Sequence, residues 1–178
     1  MPGGAWMTVH GALVDVGGVG VLLLGPSGVG KSECALELVS RGHRLVADDV
    51  VEFERGSDGE LRGHSPERIR HHLEIRGLGI LYVPDIYGRD RVLESTSVDL
   101  VCRLERWRAD ASYDRVGLDR GSEELDGVKL PSLTLPARPG ASMATIVEVA
   151  AGEHLRRAAG KSAIQRLDER VRGDMERS

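Results

Sequence analysis

Aromatic residues are scarce in this chain of 178 residues, since Phe, Trp and Tyr together account for 3% of it. Because 40% of the residues are nevertheless hydrophobic, we expect one domain with a core of aliphatic side chains. Cysteine is also scarce: Cys34 and Cys102 both lie in apolar stretches, and neither belongs to a Cys-x-x-Cys or Cys/His cluster. The sequence therefore predicts buried thiols in a reducing cytoplasm rather than a disulfide framework or a structural zinc site.

Long apolar runs and an excess of positive charge are missing as well. No run approaches the roughly 18 residues that a membrane-spanning helix needs, and the N-terminus has no signal-peptide core. The net charge of −4 creates no field that would attract nucleic acid or an anionic membrane. We expect residues 1–178 to form a single cytoplasmic domain that binds neither nucleic acid nor membrane.

Glycine, in contrast, is abundant, and it marks one motif. Residues 25–32 match the phosphate-binding loop G-x-x-x-x-G-K-[ST] at every fixed position. An apolar run at 19–24 predicts a buried strand before the loop, and residues 33–41 favour a helix after it. In this setting the loop cradles phosphates, Lys31 reaches the β- and γ-phosphates, and the Ser32 hydroxyl can ligate Mg²⁺. The residues predicted to bind the nucleotide are Gly25, Pro26, Ser27, Gly28, Val29, Gly30, Lys31 and Ser32.

Two adjacent carboxylates, Asp48 and Asp49, follow a predicted strand at 44–47. Such a pair could hold Mg²⁺ and accept a proton from a hydroxyl group, or it could be no more than a polar strand end. Since successive side chains of a strand point to opposite faces, we expect the two aspartates to differ in role.

Further polar candidates lie on either side of the loop. His10, before the strand that leads into the loop, is either structural or catalytic. Glu74 and Arg76 would share one face of an extended segment, where they could bind metal and phosphate respectively or form a plain ion pair. The pair His71–His72 lacks acidic or Cys partners at ligand spacing, so we do not predict a metal site there.

Most of the chain outside the motif favours short strands. Strands are predicted at 8–14 and 19–24 as one hairpin, then at 44–47, 50–54, 61–64, 80–83, 98–104 and 130–135. Residues 65–97 are otherwise expected to be loops, and 106–127 a surface excursion. Helices are predicted at 142–159 and 162–175, the second with Ile164, Leu167, Val171 and Met175 on one face. The basic residues of this end are either a solvated helix face or a docking surface for an acidic partner or a neighbouring subunit.

Several segments together resemble the catalytic domain of the bacterial HPr kinase/phosphorylase family. The most specific are HRLVADD at 43–49 and LEIRGLG at 73–79; His10-Gly11, the loop with Glu33, Tyr113-Asp114-Arg115 and Arg138-Pro139-Gly140 agree with them. The resemblance extends from residue 8 to about residue 160.

The resemblance implies an α/β fold with a P-loop kinase core akin to phosphoenolpyruvate carboxykinase, with C-terminal helices. It implies an enzyme that uses ATP, or in some members pyrophosphate, with Mg²⁺ to phosphorylate a serine of the phosphocarrier HPr, and that reverses this step with inorganic phosphate. By position, Asp49 would be the base, Ser32, Asp48 and Glu74 would hold the metal, and His10, Lys31 and Arg115 would be catalytic. A homo-oligomer, a hexamer in the family, is also implied.

Three departures from the family pattern affect these expectations. The family's N-terminal domain is absent from this sequence. Residues 87–92 read YGRDRV where a small Phe-Gly-Ala-Gly-Ala-Val loop is usual. Ala141-Ser142 replaces Arg-Asn, and Ser132 replaces a basic residue, in the region that serves dephosphorylation and subunit contacts. The kinase reaction is thus the firmer expectation; the alternatives are a P-loop kinase for another acceptor and a nucleotide-sensing module with little turnover.

Overall fold

The computed structural model describes residues 6–115, 120–161 and 163–177 as a three-layer α/β arrangement. Twelve strands and four α-helices lie in these ranges. The strands are β1 (Met7–His10), β2 (Ala12–Val16), β3 (Val19–Leu24), β4 (Arg44–Ala47), β5 (Val50–Arg55), β6 (Leu61–His64), β7 (His72–Ile75), β8 (Gly79–Tyr82), β9 (Ser95–Ser97), β10 (Leu100–Arg106), β11 (Gly121–Leu125) and β12 (Val128–Ala137). The helices are α1 (Lys31–Ser40), α2 (Val83–Tyr87), α3 (Met143–Ala158) and α4 (Ala163–Glu176).

The central sheet has six strands in the order β11-β12-β10-β3-β2-β4. Strand β10 pairs in parallel with β3 and with β12, whereas β2 is antiparallel to both β3 and β4. Strands β3 and β4 therefore run in the same direction as β10 and β12. As a result, the carboxyl ends of these four strands meet at one edge of the sheet, which is where ligands bind in most open α/β sheets.

Aliphatic side chains fill both faces of this sheet, as the composition predicts. On one face α1 and α3 pack against strand residues such as Val14 and Leu23. On the other face Leu13 and Leu22 pack against a four-stranded antiparallel sheet, β1-β5-β6-β9. Because successive strand side chains alternate between faces, the neighbours Leu22 and Leu23 belong to different layers of the core. Within the described ranges, Phe53 is the only buried aromatic residue.

The predicted single strand at 8–14 is wrong. The chain divides at Gly11 into β1, which belongs to the four-stranded sheet, and β2, which belongs to the six-stranded sheet. A Cβ on Gly11 would lie 2.6 Å from the carbonyl oxygen of Leu23, so the backbone passes too close to β3 for a larger residue. The sequence does not mark this change of sheet, because the residues on both sides of Gly11 favour an extended backbone. In the structure β1 is exposed at alternate residues, whereas every residue of β2 is buried.

Two segments expected to be irregular contain regular structure. Residues 65–97 hold the hairpin β7-β8, helix α2 and strand β9, and the strand expected at 80–83 is β8, one residue earlier. Residues 106–127 include β11, which pairs with β12. These strands are only three to five residues long and lack a regular apolar alternation, so their hydrogen-bonding partners stabilise them more than their own sequence pattern does.

Both C-terminal helices are present. The Ser142 hydroxyl caps α3 by accepting a hydrogen bond from the Thr145 N–H at 3.2 Å. Helix α4 begins at Ala163; the predicted first residue, 162, lies outside the described residues. Its predicted apolar face is exposed, since Leu167, Val171 and Met175 remain accessible to solvent. None of the described helices is long and apolar enough to cross a membrane.

Candidate active site

A polar cleft of about 480 Å³ lies at the edge of the sheet where β3 and β4 end. It combines the glycine-rich loop with carboxylates from two other segments of the chain. The residues that line it are His10, Gly25, Ser27, Gly28, Gly30, Lys31, Ser32, Glu33, Asp48, Asp49, Glu74 and Arg76. The structure thus brings together most of the residues that the sequence predicts for the site, although they are up to 66 positions apart in the chain, from His10 to Arg76.

The loop between β3 and α1 has the geometry that its glycines favour. Gly25 has φ 145°, and a Cβ there would lie 2.5 Å from the carbonyl oxygen of Leu104 on β10. Only glycine fits this position, because a side chain would collide with the backbone of the neighbouring strand. The Lys31 ammonium donates to the carbonyl oxygens of Gly25 at 2.7 Å and Pro26 at 3.1 Å, so its charge lies over the start of the loop. An anion in the loop would meet that charge directly.

Asp48 is buried and is held in place from several directions. The Ser32 hydroxyl lies 3.0 and 2.9 Å from its two carboxylate oxygens, and the carboxylate also accepts hydrogen bonds from the backbone N–H groups of Asp49 and Glu74. Burial nevertheless raises the pKa of Asp48 to about 6, because the charged form loses solvation. A cation near Ser32 and Asp48 would offset that cost.

This donor set fits Mg²⁺ better than it fits a metal held by the protein alone. The described residues contain no group of three or more His, Cys, Asp or Glu side chains placed to hold a metal ion. Ser32 and Asp48 adjoin each other, and Glu74 lines the same cleft. Mg²⁺ commonly takes one or two carboxylates and fills its other positions with water and substrate phosphates, and a hydroxyl from the loop is a familiar addition.

Asp49 differs from Asp48 in both backbone conformation and exposure. It has φ 69°, in the left-handed region that few residues other than glycine adopt, and its side chain is exposed in the cleft. Its carbonyl oxygen accepts a hydrogen bond from the Gly11 N–H at 3.2 Å, which ties this turn to the start of β2. The two aspartates therefore differ in environment. The cause is a bend after β4 and not the strand alternation from which we expected different roles.

His10, Glu74 and Arg76 also line the cleft. His10 is the last residue of β1 and reaches the cleft because the chain changes sheets at Gly11. Glu74 lies in β7, but that strand ends at Ile75, so Arg76 belongs to a turn and not to the extended segment we expected. The alternative of a plain Glu74–Arg76 ion pair is not observed among the described residues. Instead Arg76 donates to the Ser27 hydroxyl at 3.4 Å.

Three predicted residues do not line this cleft. Pro26 and Val29 belong to the loop, but their side chains lie outside the cleft lining, and Arg115 is exposed just before residues 116–119, which lie outside the described residues. Conversely, sequence reasoning missed Arg106, which donates to the Ser27 carbonyl oxygen at 3.2 Å. The one available signal was its position near the carboxyl end of an apolar strand, where side chains reach the ligand edge of the sheet.

A second cavity of about 280 Å³ adjoins the other end of the loop. Val29, Gly30 and Glu33 form one wall, and Arg138 and Ala141, from the segment between β12 and α3, contribute to the other. The Arg138 guanidinium lies over the Trp107 ring, 4.9 Å from its centroid, and Trp107 stacks on Tyr113. The segment that differs from the family pattern at Ala141 and Ser142 is therefore next to the phosphate loop.

The fold and the cleft define a mixed α/β domain whose polar site lies at the carboxyl edge of its sheet. The model of the family "HPr Serine kinase C-terminal domain" matches residues 5–171. The chain belongs to this family.

Relatives of known name agree with that assignment. The chain is 53% identical over 165 residues to the HPr kinase/phosphorylase of Thermoanaerobacter sp. (strain X514), covering 93% of this chain and 54% of the relative. It is 51% identical over 171 residues to the HPr kinase/phosphorylase of Caldicellulosiruptor bescii, covering 96% and 55%. The solved structure of the Hpr(Ser) kinase/phosphatase from Coxiella burnetii matches with a TM-score of 0.80 at 29% identity, covering 86% of this chain and 93% of that one. The chain spans about half the length of the curated relatives it matches.

Proposed function

We propose that this chain is the catalytic domain of an ATP- and Mg²⁺-dependent protein-serine kinase that phosphorylates an HPr-type phosphocarrier protein. The observation that carries the proposal is the meeting of Lys31 and the loop with Asp48 and Asp49 in one cleft. Family membership supports the choice of HPr as acceptor, because the relatives are named HPr kinase/phosphorylase. The succession of strand β3, glycine-rich loop and helix α1 supports a P-loop core of the phosphoenolpyruvate-carboxykinase-like type, within a single domain over residues 1–178.

In this mechanism the loop and the N-terminus of α1 hold the phosphates of the donor. The residues proposed to bind them are Gly25, Pro26, Ser27, Gly28, Val29, Gly30, Lys31 and Ser32. Ser32, Asp48 and Glu74 would hold Mg²⁺, which supplies charge neutralisation for the β- and γ-phosphates when it is bound. The ammonium of Lys31 leaves its loop carbonyls and meets the developing negative charge on the transferred phosphoryl group. Such positioning and charge stabilisation account for most of the catalysis of phosphoryl transfer.

Asp49 is the proposed general base. The acceptor hydroxyl oxygen attacks the terminal phosphorus, its proton passes to the Asp49 carboxylate, and the bond to the leaving diphosphate breaks. In the phosphorolysis, an oxygen of inorganic phosphate attacks the phosphorus of the phosphoserine, the bond from that phosphorus to the serine oxygen breaks, and pyrophosphate forms. Protonated Asp49 gives its proton to the departing serine oxygen. Exposure suits Asp49 to this role, because the acceptor belongs to another protein and must approach from solvent. His10, at the same cleft, is a proposed catalytic neighbour, and Arg115 is proposed as catalytic on family position alone.

The surroundings of the site support further parts of the proposal. The free thiols Cys34 and Cys102 are buried, which suits a reducing cytoplasm. The exposed apolar face of α4 supports a homo-oligomer, a hexamer by analogy with the family, since such faces usually mark contacts. Sedimentation or light scattering of the purified chain measures the oligomer directly.

The proposed function is tested by incubating the chain with γ-labelled ATP, Mg²⁺ and HPr proteins from its own source, followed by mapping of the phosphorylated residue. We expect label on a single serine of HPr and none with the Asp49→Asn variant. Labelling of a different protein or of a small molecule would favour a kinase for another acceptor. ATP binding without any transfer would favour a nucleotide-sensing module.

A further inference from the structure

Two arginines from distant segments approach the same peptide of the phosphate loop. Arg76 follows β7 and donates from Nη2 to the Ser27 hydroxyl at 3.4 Å. Arg106 ends β10 and donates from Nη2 to the Ser27 carbonyl oxygen at 3.2 Å. A Cβ on Gly28 would lie 3.5 Å from Nη1 of Arg76 and 3.8 Å from Nη2 of Arg106. The two guanidinium groups therefore both adjoin residues 27–28, which we call the loop tip.

Neither guanidinium is neutralised by a carboxylate of the residues that the structure describes. Within the described ranges no carboxylate forms an ion pair with Arg76 or Arg106, and both side chains are exposed. Arg103, three residues earlier on β10, is different because it pairs with Glu123. Two like charges near one peptide repel each other, and an anion between them would relieve that repulsion. The loop tip is thus a cationic position that suits an anion.

The location of the loop tip indicates which anion it takes. Lys31, which in such loops reaches the β- and γ-phosphates, rests on the carbonyl oxygens of Gly25 and Pro26, directly before Ser27. The arginines and the lysine therefore share one end of the loop, where the terminal phosphates of a donor lie. A guanidinium suits this position because its planar fork can donate two parallel hydrogen bonds to a phosphate.

We propose that Arg106 forms, together with Arg76, a two-arginine clamp that binds the terminal phosphates of a polyphosphate ligand at the loop tip. Arg106 is then a specificity-determining residue that favours ligands with more phosphates in the loop. The clamp deepens the proposed function, on which it rests for the identity of the donor. It concerns binding alone, so it can be measured without phosphoryl transfer.

The alternative is that Arg106 only braces the loop through its hydrogen bond to Ser27. A brace changes the shape of the loop, so its loss weakens all phosphate ligands alike. A clamp contacts the ligand itself, so its loss weakens most the ligands whose phosphates extend to the loop tip. The two roles therefore predict different ratios between the affinity for ligands that extend to the loop tip and the affinity for shorter ligands. The loss of affinity for any single ligand does not separate them.

The experiment is calorimetric titration of the full chain with Mg·ADP, with a non-hydrolysable Mg·ATP analogue and with Mg·pyrophosphate. The variants are Arg106→Gln, Arg106→Lys and the matched control Arg108→Gln, an exposed arginine two residues further on. We expect Arg106→Gln to weaken the ATP analogue about tenfold and ADP by no more than about threefold, as for the loss of one charge-assisted hydrogen bond. Arg106→Lys should recover part of the affinity, and Arg108→Gln should bind as the wild type does.

An equal loss for ADP and the ATP analogue, or no loss for either, would overturn the clamp. Circular dichroism melting of each variant shows whether it is folded, and Arg106→Lys provides the comparison if Arg106→Gln is unstable. The clamp and the proposed function can fail separately. If the wild-type chain shows the expected pattern of affinities but transfers nothing to HPr, the clamp stands and the acceptor assignment fails.

Discussion

The cationic side chains around the phosphate loop and the two aspartates of the cleft are held in different ways. Lys31, Arg76 and Arg106 reach the loop through one or two hydrogen bonds each, and both arginines are exposed. Asp48, in contrast, is only 4% exposed and accepts hydrogen bonds from Ser32 and two backbone N–H groups, while Asp49 occupies a left-handed backbone position. The acidic side is preorganised at a cost in stability, whereas the cationic side can move to follow a phosphate.

We expect the largest effect on activity from a substitution that removes the lysine of the loop. Lys31→Ala should lower phosphoryl transfer at least about 1,000-fold, because it removes the ammonium that the loop directs at the β- and γ-phosphates. The fold should remain intact, since the backbone of the loop does not depend on that side chain. Transfer assays and melting curves measure the two effects, with the exposed Lys129→Ala as the control. Near-normal turnover by Lys31→Ala would show that residues 25–32 are not the working donor site.

The next effect separates the two aspartates on the acidic side. Asp49→Asn keeps the size of the side chain but cannot accept a proton, so both directions of transfer should fall at least about 100-fold. Affinity for Mg·ATP should stay within about threefold of the wild type, which calorimetry measures. Asp48→Asn should instead raise the Mg²⁺ concentration required for half-maximal activity. The reverse pattern, with Asp48→Asn inactive and Asp49→Asn merely needing more Mg²⁺, would exchange the proposed roles.

The cost of burying Asp48 should appear as a pH dependence of stability in the absence of metal. Its pKa of about 6 lies above the usual value of 3.8, so the folded state favours the protonated form. The stabilisation of the folded state by protonated Asp48 is fully present below about pH 4. It is lost as the pH rises through about 6, because the buried carboxylate then becomes charged. Relative to Asp48→Asn, the wild type should lose on the order of 2–3 kcal/mol over this interval.

Urea unfolding in EDTA at several pH values between 4 and 8 measures this difference. The exposed Asp110→Asn variant is the matched control for an Asp→Asn substitution at the surface. A constant difference between wild type and Asp48→Asn across the interval would mean that burial does not raise the pKa of Asp48.

The smallest expected effect concerns the reverse reaction at the other end of the loop. Ala141, Ser142 and Ser132 stand where the family usually has basic or amide side chains, and Ala141 lines the cavity beside Gly30. We expect phosphate-dependent dephosphorylation to be weaker, relative to kinase activity, than in typical relatives. Ala141→Arg should increase it by about two- to fivefold, because an added cation favours bound phosphate. Formation of pyrophosphate and of dephosphorylated HPr from phosphoserine-HPr, across a phosphate titration, measures this ratio. Efficient dephosphorylation by the wild type at low millimolar phosphate would contradict the expectation.

Local sequence was enough to predict the parts of the site that lie close together in the chain. The loop at 25–32 follows an apolar strand and leads into a helix, and each of its fixed residues has a local conformational or chemical reason. Strands β3, β4 and β6 were predicted at their observed bounds, because each has an apolar run or an adjoining turn signal. The short strands β7, β9 and β11 were not predicted as such, because only their partners stabilise them.

The sequence by itself determined the phosphate loop, the aliphatic core and the presence of carboxylates after β4, since these depend on neighbouring residues and on composition. Only the tertiary structure decided which charges meet. Arg106 contacts Ser27 across 79 residues because β10 pairs in parallel with β3 and ends at the same edge. Likewise, Asp48 is buried and Asp49 is exposed because the chain bends after β4, where the Gly11 N–H holds the Asp49 carbonyl. Burial and pairing over such distances depend on the assembled sheet, and no short stretch of sequence encodes them.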